Sequence, residues 1–164
     1  MSRIPEALQD YWQAFAVAVG GVDEARFYEA CIFGDSEALA DELAALVLRG
    51  IKRGTASSVW SVEAQGKPLP KPGDLSVMLD GAGRPQGVIE TRSIEVMAFK
   101  DVTAAFAAVE GEGDGSLAYW QEAHRAYFTR EAEAVGRVFT EDMPVCCECF
   151  DLVYPRPIGP TQQR

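Results

Sequence analysis

Lys52 and Thr55 are the pair in this chain whose types and spacing could do chemistry. They lie three residues apart in Gly50-Ile51-Lys52-Arg53-Gly54-Thr55. An amine beside a hydroxyl can serve as base and nucleophile, or as a clamp for an anion. Gly50 stands where a predicted helix ends and permits the left-handed turn that stops it. Gly54 keeps the backbone open between the two side chains. The competing reading is a plain helix-to-strand connection with Lys52 in solvent. The third candidate is Glu90, an acid in the otherwise apolar run Gly87-Val88-Ile89-Glu90-Thr91. Its competing reading is an outward-facing strand acid paired with Arg92, because residues i and i+2 share a strand face.

Other residues are candidates for contacting a ligand. Arg53 could meet a phosphate, and Ser57 could line a cleft with its hydroxyl. Arg92 lies beside the strand acid. Trp60 and Trp120 could stack a base, worth roughly 1–3 kcal/mol, or belong to the core. Asp114 sits in the loop Gly111-Glu112-Gly113-Asp114-Gly115 and could reach a ribose or base edge. His124, the single histidine, falls in mid-helix among aromatics and reads as a satisfied, partly buried side chain.

The elements that must position these groups follow from apolar spacing. Ile4 to Val19 places Leu8, Tyr11, Trp12, Phe15 and Val19 on one helical stripe. Tyr28 to Phe33 reads as a short strand. Asp35 or Ser36 caps a helix over 37–49 with Leu39, Leu43, Leu46 and Val47 buried. Thr55 to Ala64 alternates as a strand, and the proline-rich 65–73 is a loop. Strands follow at 74–79 and 86–99, the latter bent near Arg92-Ser93, with a hairpin turn at Asp80-Gly81-Ala82-Gly83. A short helix over 100–109, a long helix from Ser116 to about Val135 and a strand over 144–154 complete the order. Without regular βαβ alternation, this is an α+β fold with a small mixed barrel or half-barrel and helices outside it.

A chain of 164 residues suits one domain. It is expected to span 1–154, with a fraying tail at 155–164. A net charge of −10 argues against holding long nucleic acid by neutralising phosphates. It leaves a nucleoside or short RNA open. No apolar run approaches the roughly 18 residues of a membrane span, and the N-terminus lacks a signal-peptide layout. The expected location is the cytoplasm. Cys146, Cys147 and Cys149 crowd one apolar run with Cys31 far away, which suits free strand thiols better than a zinc ribbon with two spaced pairs.

Gly50-Ile51-Lys52-Arg53-Gly54-Thr55, then Pro70-Lys71-Pro72-Gly73-Asp74-Leu75, then Ile89-Glu90-Thr91 occur in an order that resembles the ASCH domain family. The Tyr28-Glu29-Ala30 segment, the acidic glycine loop before Tyr119-Trp120, and Glu141-Asp142-Met143-Pro144 extend the resemblance over roughly residues 10–154. It is closest to the longer bacterial branch with an N-terminal helix. The resemblance implies a PUA-like β-barrel with a cleft beneath the GxKxxT turn, and an RNA- or nucleoside-related role. A shorter branch hydrolyses the acetamide of N(4)-acetylcytidine with a Lys, a Thr and a Glu, and some longer members are described as ribonucleases. By motif these residues are Lys52, Thr55 and Glu90. The family often carries Arg two residues after the Thr, where this chain has Ser57.

The implied activity is metal-independent amide hydrolysis of N(4)-acetylcytidine or a related acylated base, with no cofactor. Two proton arrangements fit. A neutral Lys52 could take the Thr55 proton while a protonated Glu90 donates to the substrate. Alternatively an ammonium Lys52 could stabilise the oxyanion while ionised Glu90 activates Thr55 or water. The alternatives to this activity are an RNA-binding module without chemistry, and a ribonuclease acting on single-stranded RNA. The expected partner is a nucleoside or short single-stranded RNA, with neither DNA nor membrane.

Overall fold

The computed structural model describes residues 2–156. The chain runs α1 (Gln9–Ala18), β1 (Phe27–Ile32), α2 (Glu37–Leu48), β2 (Gly54–Ser58), α3 (Val59–Ala64), β3 (Leu75–Leu79) and β4 (Pro85–Ala98). It continues through α4 (Ala104–Glu110), α5 (Leu117–Ala134) and β5 (Pro144–Tyr154). Among the described residues no helix is long and apolar enough to cross a membrane. The predicted tail lies, from residue 157 onward, outside the described residues.

The five strands form one sheet in the order β1-β3-β4-β5-β2. β1 and β3 are parallel, and every other neighbouring pair is antiparallel. β4 is the spine, because it is long enough to pair with β3 at one end and with β5 along most of its length. The bend predicted near Arg92-Ser93 is a bulge, where the β4–β5 register shifts between Thr91 and Ser93. An extra residue on one strand increases local twist and curls the sheet. The Asp80 carboxylate accepts from the backbone N–H of Ala82 and of Arg84, both at 2.9 Å, and so forms the β3–β4 turn.

The curl stops short of closure. The sheet is a half-barrel whose free edges are β1 and β2, and these edges flank a common cleft without pairing. Three apolar clusters support it. α1 packs Trp12 and Phe15, with Leu8 just before the helix, against Val77 and Val88. α2 packs Leu43, Ala44 and Val47 with Met78 and Ile89. Val77 and Met78 serve opposite faces because side chains alternate along a strand. α4 and α5 pack Phe106, Trp120 and Phe128 with Val145 and Cys147.

One element differs in kind from its prediction. The strand expected over 55–64 ends at Ser58, and 59–64 is helical. The Ser58 side chain accepts from the N–H of Ser61, which caps a helix and breaks the extended run. All four cysteines are free thiols. Burial pushes the Cys147 thiol up to about 12, so it stays protonated and inert.

Candidate active site

Lys52 lies in the turn just after α2. Gly50, at φ 77°, turns the chain, and the N–H groups of Ile51 and Lys52 both reach the Leu46 carbonyl. This turn sends the Lys52 side chain inward, where it is 1% exposed. Its Nζ donates to the Gly54 carbonyl at 2.7 Å, to Glu110 Oε1 at 3.0 Å and to Glu112 Oε2 at 2.6 Å. Three acceptors match the three N–H groups of an ammonium. A neutral amine would turn its lone pair on one of them. The geometry therefore assigns Lys52 as a cation, a charge tolerable at this depth because two carboxylates face it.

The carboxylates arrive from a single turn. Glu110 is the last residue of α4, and Gly111 caps that helix in the left-handed region at φ 64°. The reversal brings Glu112 back onto the same ammonium. A Cβ on Gly111 would overlap the Ile51 carbonyl. Gly111→Ala is expected to cost more than the ~1–2 kcal/mol of the left-handed conformation alone, measured as a lower denaturation midpoint.

α5 completes the floor. Ser116 caps it by accepting from the Tyr119 N–H at 3.1 Å, and residues 120 and 124 then share a helix face. The Trp120 indole N–H donates to Glu110 Oε2. His124 stacks on Trp120 at 4.2 Å between ring centroids, with Nε2 at 3.3 Å from Glu110 Oε2. His124 Nδ1 lies 2.9 Å from the Trp120 carbonyl, which can only accept. Nδ1 therefore carries a hydrogen, and Nε2 faces the Glu110 carboxylate. Burial pushes the Glu110 carboxyl up, against the pull of Lys52 and His124. Burial also acts on Glu112, but the Lys52 charge and hydrogen bond outweigh it and hold Glu112 below the usual carboxylate range.

Ligand atoms of Glu110, Glu112 and His124 lie within 4.8 Å of one another, close enough to suggest a cation site. The Lys52 ammonium already bonds both carboxylates, so a divalent ion would have to displace it. The cation these acids are built around is Lys52.

Lys52, Thr55, Ser57, Glu110, Glu112 and His124 line one cleft of about 350 Å³ between β1, β2 and α5. The reading of Lys52 as a solvated linker residue is thus replaced by a buried cation. Glu90 does not join it. Its carboxylate meets Arg26 at 3.2 Å and Arg92 at 3.3 Å on the outside of the sheet, the paired strand acid of the competing reading. Arg92 is bound in addition to Asp151 at 2.6 Å. Arg53 is exposed, and Trp60 packs on the α5 cluster with the Arg137 guanidinium 4.7 Å over its ring. Asp114 accepts from the Ser116 N–H at 2.9 Å and serves the turn before α5. Trp120 is 2% exposed, so it positions Glu110 and offers no stacking face.

The acids that meet Lys52 are not among the residues that sequence reasoning singles out, although Glu112 lies in the loop that holds Asp114 and Glu110 immediately precedes it. Their alternation with glycine in Glu110-Gly111-Glu112 is the signal that could have found them. Glu148 is a second omission, although it stands in an apolar strand run, as Glu90 does. It lines the cleft, accepts from the Thr91 hydroxyl at 2.6 Å, and is pushed up to about 7 chiefly by burial.

The ASCH domain family model matches residues 29–154. The solved ASCH domain from Lactobacillus crispatus JV V101 is 35% identical with a TM-score of 0.83, over 94% of this chain and 98% of that one. Protein EF3133 from Enterococcus faecalis V583, described under DUF984, is 29% identical with a TM-score of 0.81, over 91% of each chain. No protein of curated function matches the chain. The matched span runs from β1 to the end of β5 and so contains every strand of the sheet but the first two residues of β1.

Proposed function

The chain belongs to the ASCH domain family, and from that premise we propose that it hydrolyses the amide of an acylated nucleoside, N(4)-acetylcytidine or a close relative. The observation that carries this reading is the buried Lys52 ammonium, held by Glu110 and Glu112 on the floor of a cleft it shares with Thr55. The cleft volume falls in the range of about 300–1,000 Å³ common for small-ligand sites.

Charge supports a neutral ligand. Glu29, Asp35, Glu110, Glu112, Glu131 and Glu148 line the cleft against Lys52, Lys67 and Arg130. Lys67 and Arg130 are already engaged, by Glu29 and Asp35 respectively. An incoming phosphate would find no unengaged cation among these and an excess of acids. A nucleoside avoids that repulsion.

In this mechanism Thr55 Oγ, or a water beside it, attacks the acetyl carbonyl carbon. Its proton passes to Glu112, whose side chain is more open than that of sealed Glu110. As Glu112 takes that proton it loses its charge and loosens its hold on Lys52, whose ammonium then stabilises the oxyanion of the tetrahedral intermediate. The C–N bond breaks as Glu112 returns the proton to the leaving amine, and water then clears any acyl group from Thr55. Glu110, with Trp120 and His124, fixes the position of Lys52. Glu112 takes the role that the motif assigns to Glu90.

The test is release of cytidine and acetate from N(4)-acetylcytidine. Thr55→Ala and Glu112→Gln are expected to lose on the order of 10²–10⁴ in rate. Glu90→Gln, a surface change, is expected to retain it. Wild-type rates in both cleft variants would remove their assigned roles. Short single-stranded RNA assayed in parallel covers the alternatives: cleavage lost in Thr55→Ala, or binding with a steep salt slope, would move the reading to RNA.

A further inference from the structure

Glu148 stands apart from the Lys52 cluster and is not used by the hydrolysis described above. It lies on β5 directly opposite Thr55 on β2. Directly opposed residues project to the same sheet face, and both line the cleft. The residue is 9% exposed. Its Oε2 accepts from Thr91 at 2.6 Å. Among the described residues no donor or cation reaches Oε1, and that oxygen is not sealed from solvent, so it is available to a ligand in the cleft. Thr91 is itself 2% exposed, so the hydroxyl that orients Glu148 is fixed in the sheet.

We propose that Glu148 reads the heterocycle of the ligand, its free Oε1 offering a hydrogen bond to an acceptor atom on the edge of a neutral base. This deepens the nucleoside reading and rests on it for the class of ligand. With Oε2 held as an acceptor by Thr91, a proton on the carboxyl resides on Oε1 and points where Thr55 points. A cytosine-type ring supplies the matching acceptors in its ring nitrogen and carbonyl oxygen. Burial favours the protonated form, against the Thr91 hydrogen bond, which favours the ionised one. Glu29 and Asp74 add negative charge, Lys52 opposes them, and Tyr28, Cys31 and Cys146 are the other titratable groups nearby. The same carboxyl, once ionised, would repel the acceptor it binds when neutral.

Calorimetric binding of cytidine across a pH series bracketing 7 tests the proposal without turnover. Wild-type affinity is expected to fall as pH rises through about 7, where Glu148 loses its proton. Above that pH the loss approaches tenfold per unit. Glu148→Gln keeps a donor and an acceptor in the same shape, and its affinity should be flat with pH. Glu148→Ala should bind about tenfold more weakly or worse at acidic pH, with melting curves confirming that it folds. The proposal is overturned if wild-type affinity is flat, if Glu148→Gln retains the wild-type profile, if Glu148→Ala binds as wild type, or if cytidine does not bind. If cytidine shows the expected pattern while N(4)-acetylcytidine is not cleaved, the hydrolase reading fails and the role of Glu148 stands. If cleavage occurs and the Glu148 variants keep the wild-type profile, the reverse holds.

Discussion

Lys52→Met is expected to destabilise the protein by about 3–5 kcal/mol at neutral pH, the usual cost of removing one partner of a buried ion pair. Methionine fills much of the same volume, so packing is a minor part of the effect. The loss is electrostatic: Glu110 and Glu112 both bond the Lys52 Nζ and would be left facing each other without it. Glu110 already resists ionisation because it is buried. Without the ammonium both carboxyls should protonate more readily, so acidification should recover part of the loss. Denaturant melts of the variant at several pH values measure this directly. Adding Glu110→Gln and Glu112→Gln to Lys52→Met should restore stability without restoring activity, since a neutral network carries no unpaired charge. A Lys52→Met protein as stable as wild type would show that the ammonium is not the centre of this cluster.

Glu148→Gln is expected to act in the opposite direction. Its carboxyl is raised from 4.5 to about 7 in the folded protein. At pH values below the unfolded value it is protonated in both states and contributes no difference. Between the two values the folded state holds the extra proton, so stability falls as pH rises. Above about 7 the carboxylate is ionised in both states, and the full cost of burying it is present. Gln removes that cost, a gain of up to about 3 kcal/mol at pH 8 that vanishes toward pH 4. Melting temperatures of the two proteins should therefore converge on acidification. Parallel curves across the pH range would show that Glu148 is not the group responsible. A residue whose charged form costs stability above pH 7 is more readily explained by a ligand contact than by the fold.

Lys52 and Thr55 stand out in the sequence because their turn is local. Gly50, Gly54 and a three-residue spacing define it within one short segment. Helix faces are legible for the same reason: Leu43 and Val47, or Trp120 and His124, are neighbours through one helical repeat. The bulge near Arg92-Ser93 announces itself as a long strand with a polar interruption. Ser58 is harder to place, because a short alternating run and a serine-capped helix carry similar composition, and the cap hydrogen bond to Ser61 decides between them.

The choice of acid lies beyond the reach of the sequence. Glu90 and Glu148 both stand in apolar strand runs, and periodicity alone cannot say which sheet face each occupies once a bulge at Thr91–Ser93 has shifted the register. Glu90 goes to the outer face and finds Arg26 and Arg92, while Glu148 goes to the cleft. Glu110 and Glu112 meet Lys52 from 58 and 60 residues away. Local spacing therefore determined the lysine, the hydroxyl and the elements that carry them. Only the curl of the sheet and the packing of α4 and α5 decided which carboxylates surround them, because a buried charge takes its partners from whatever the fold brings within reach.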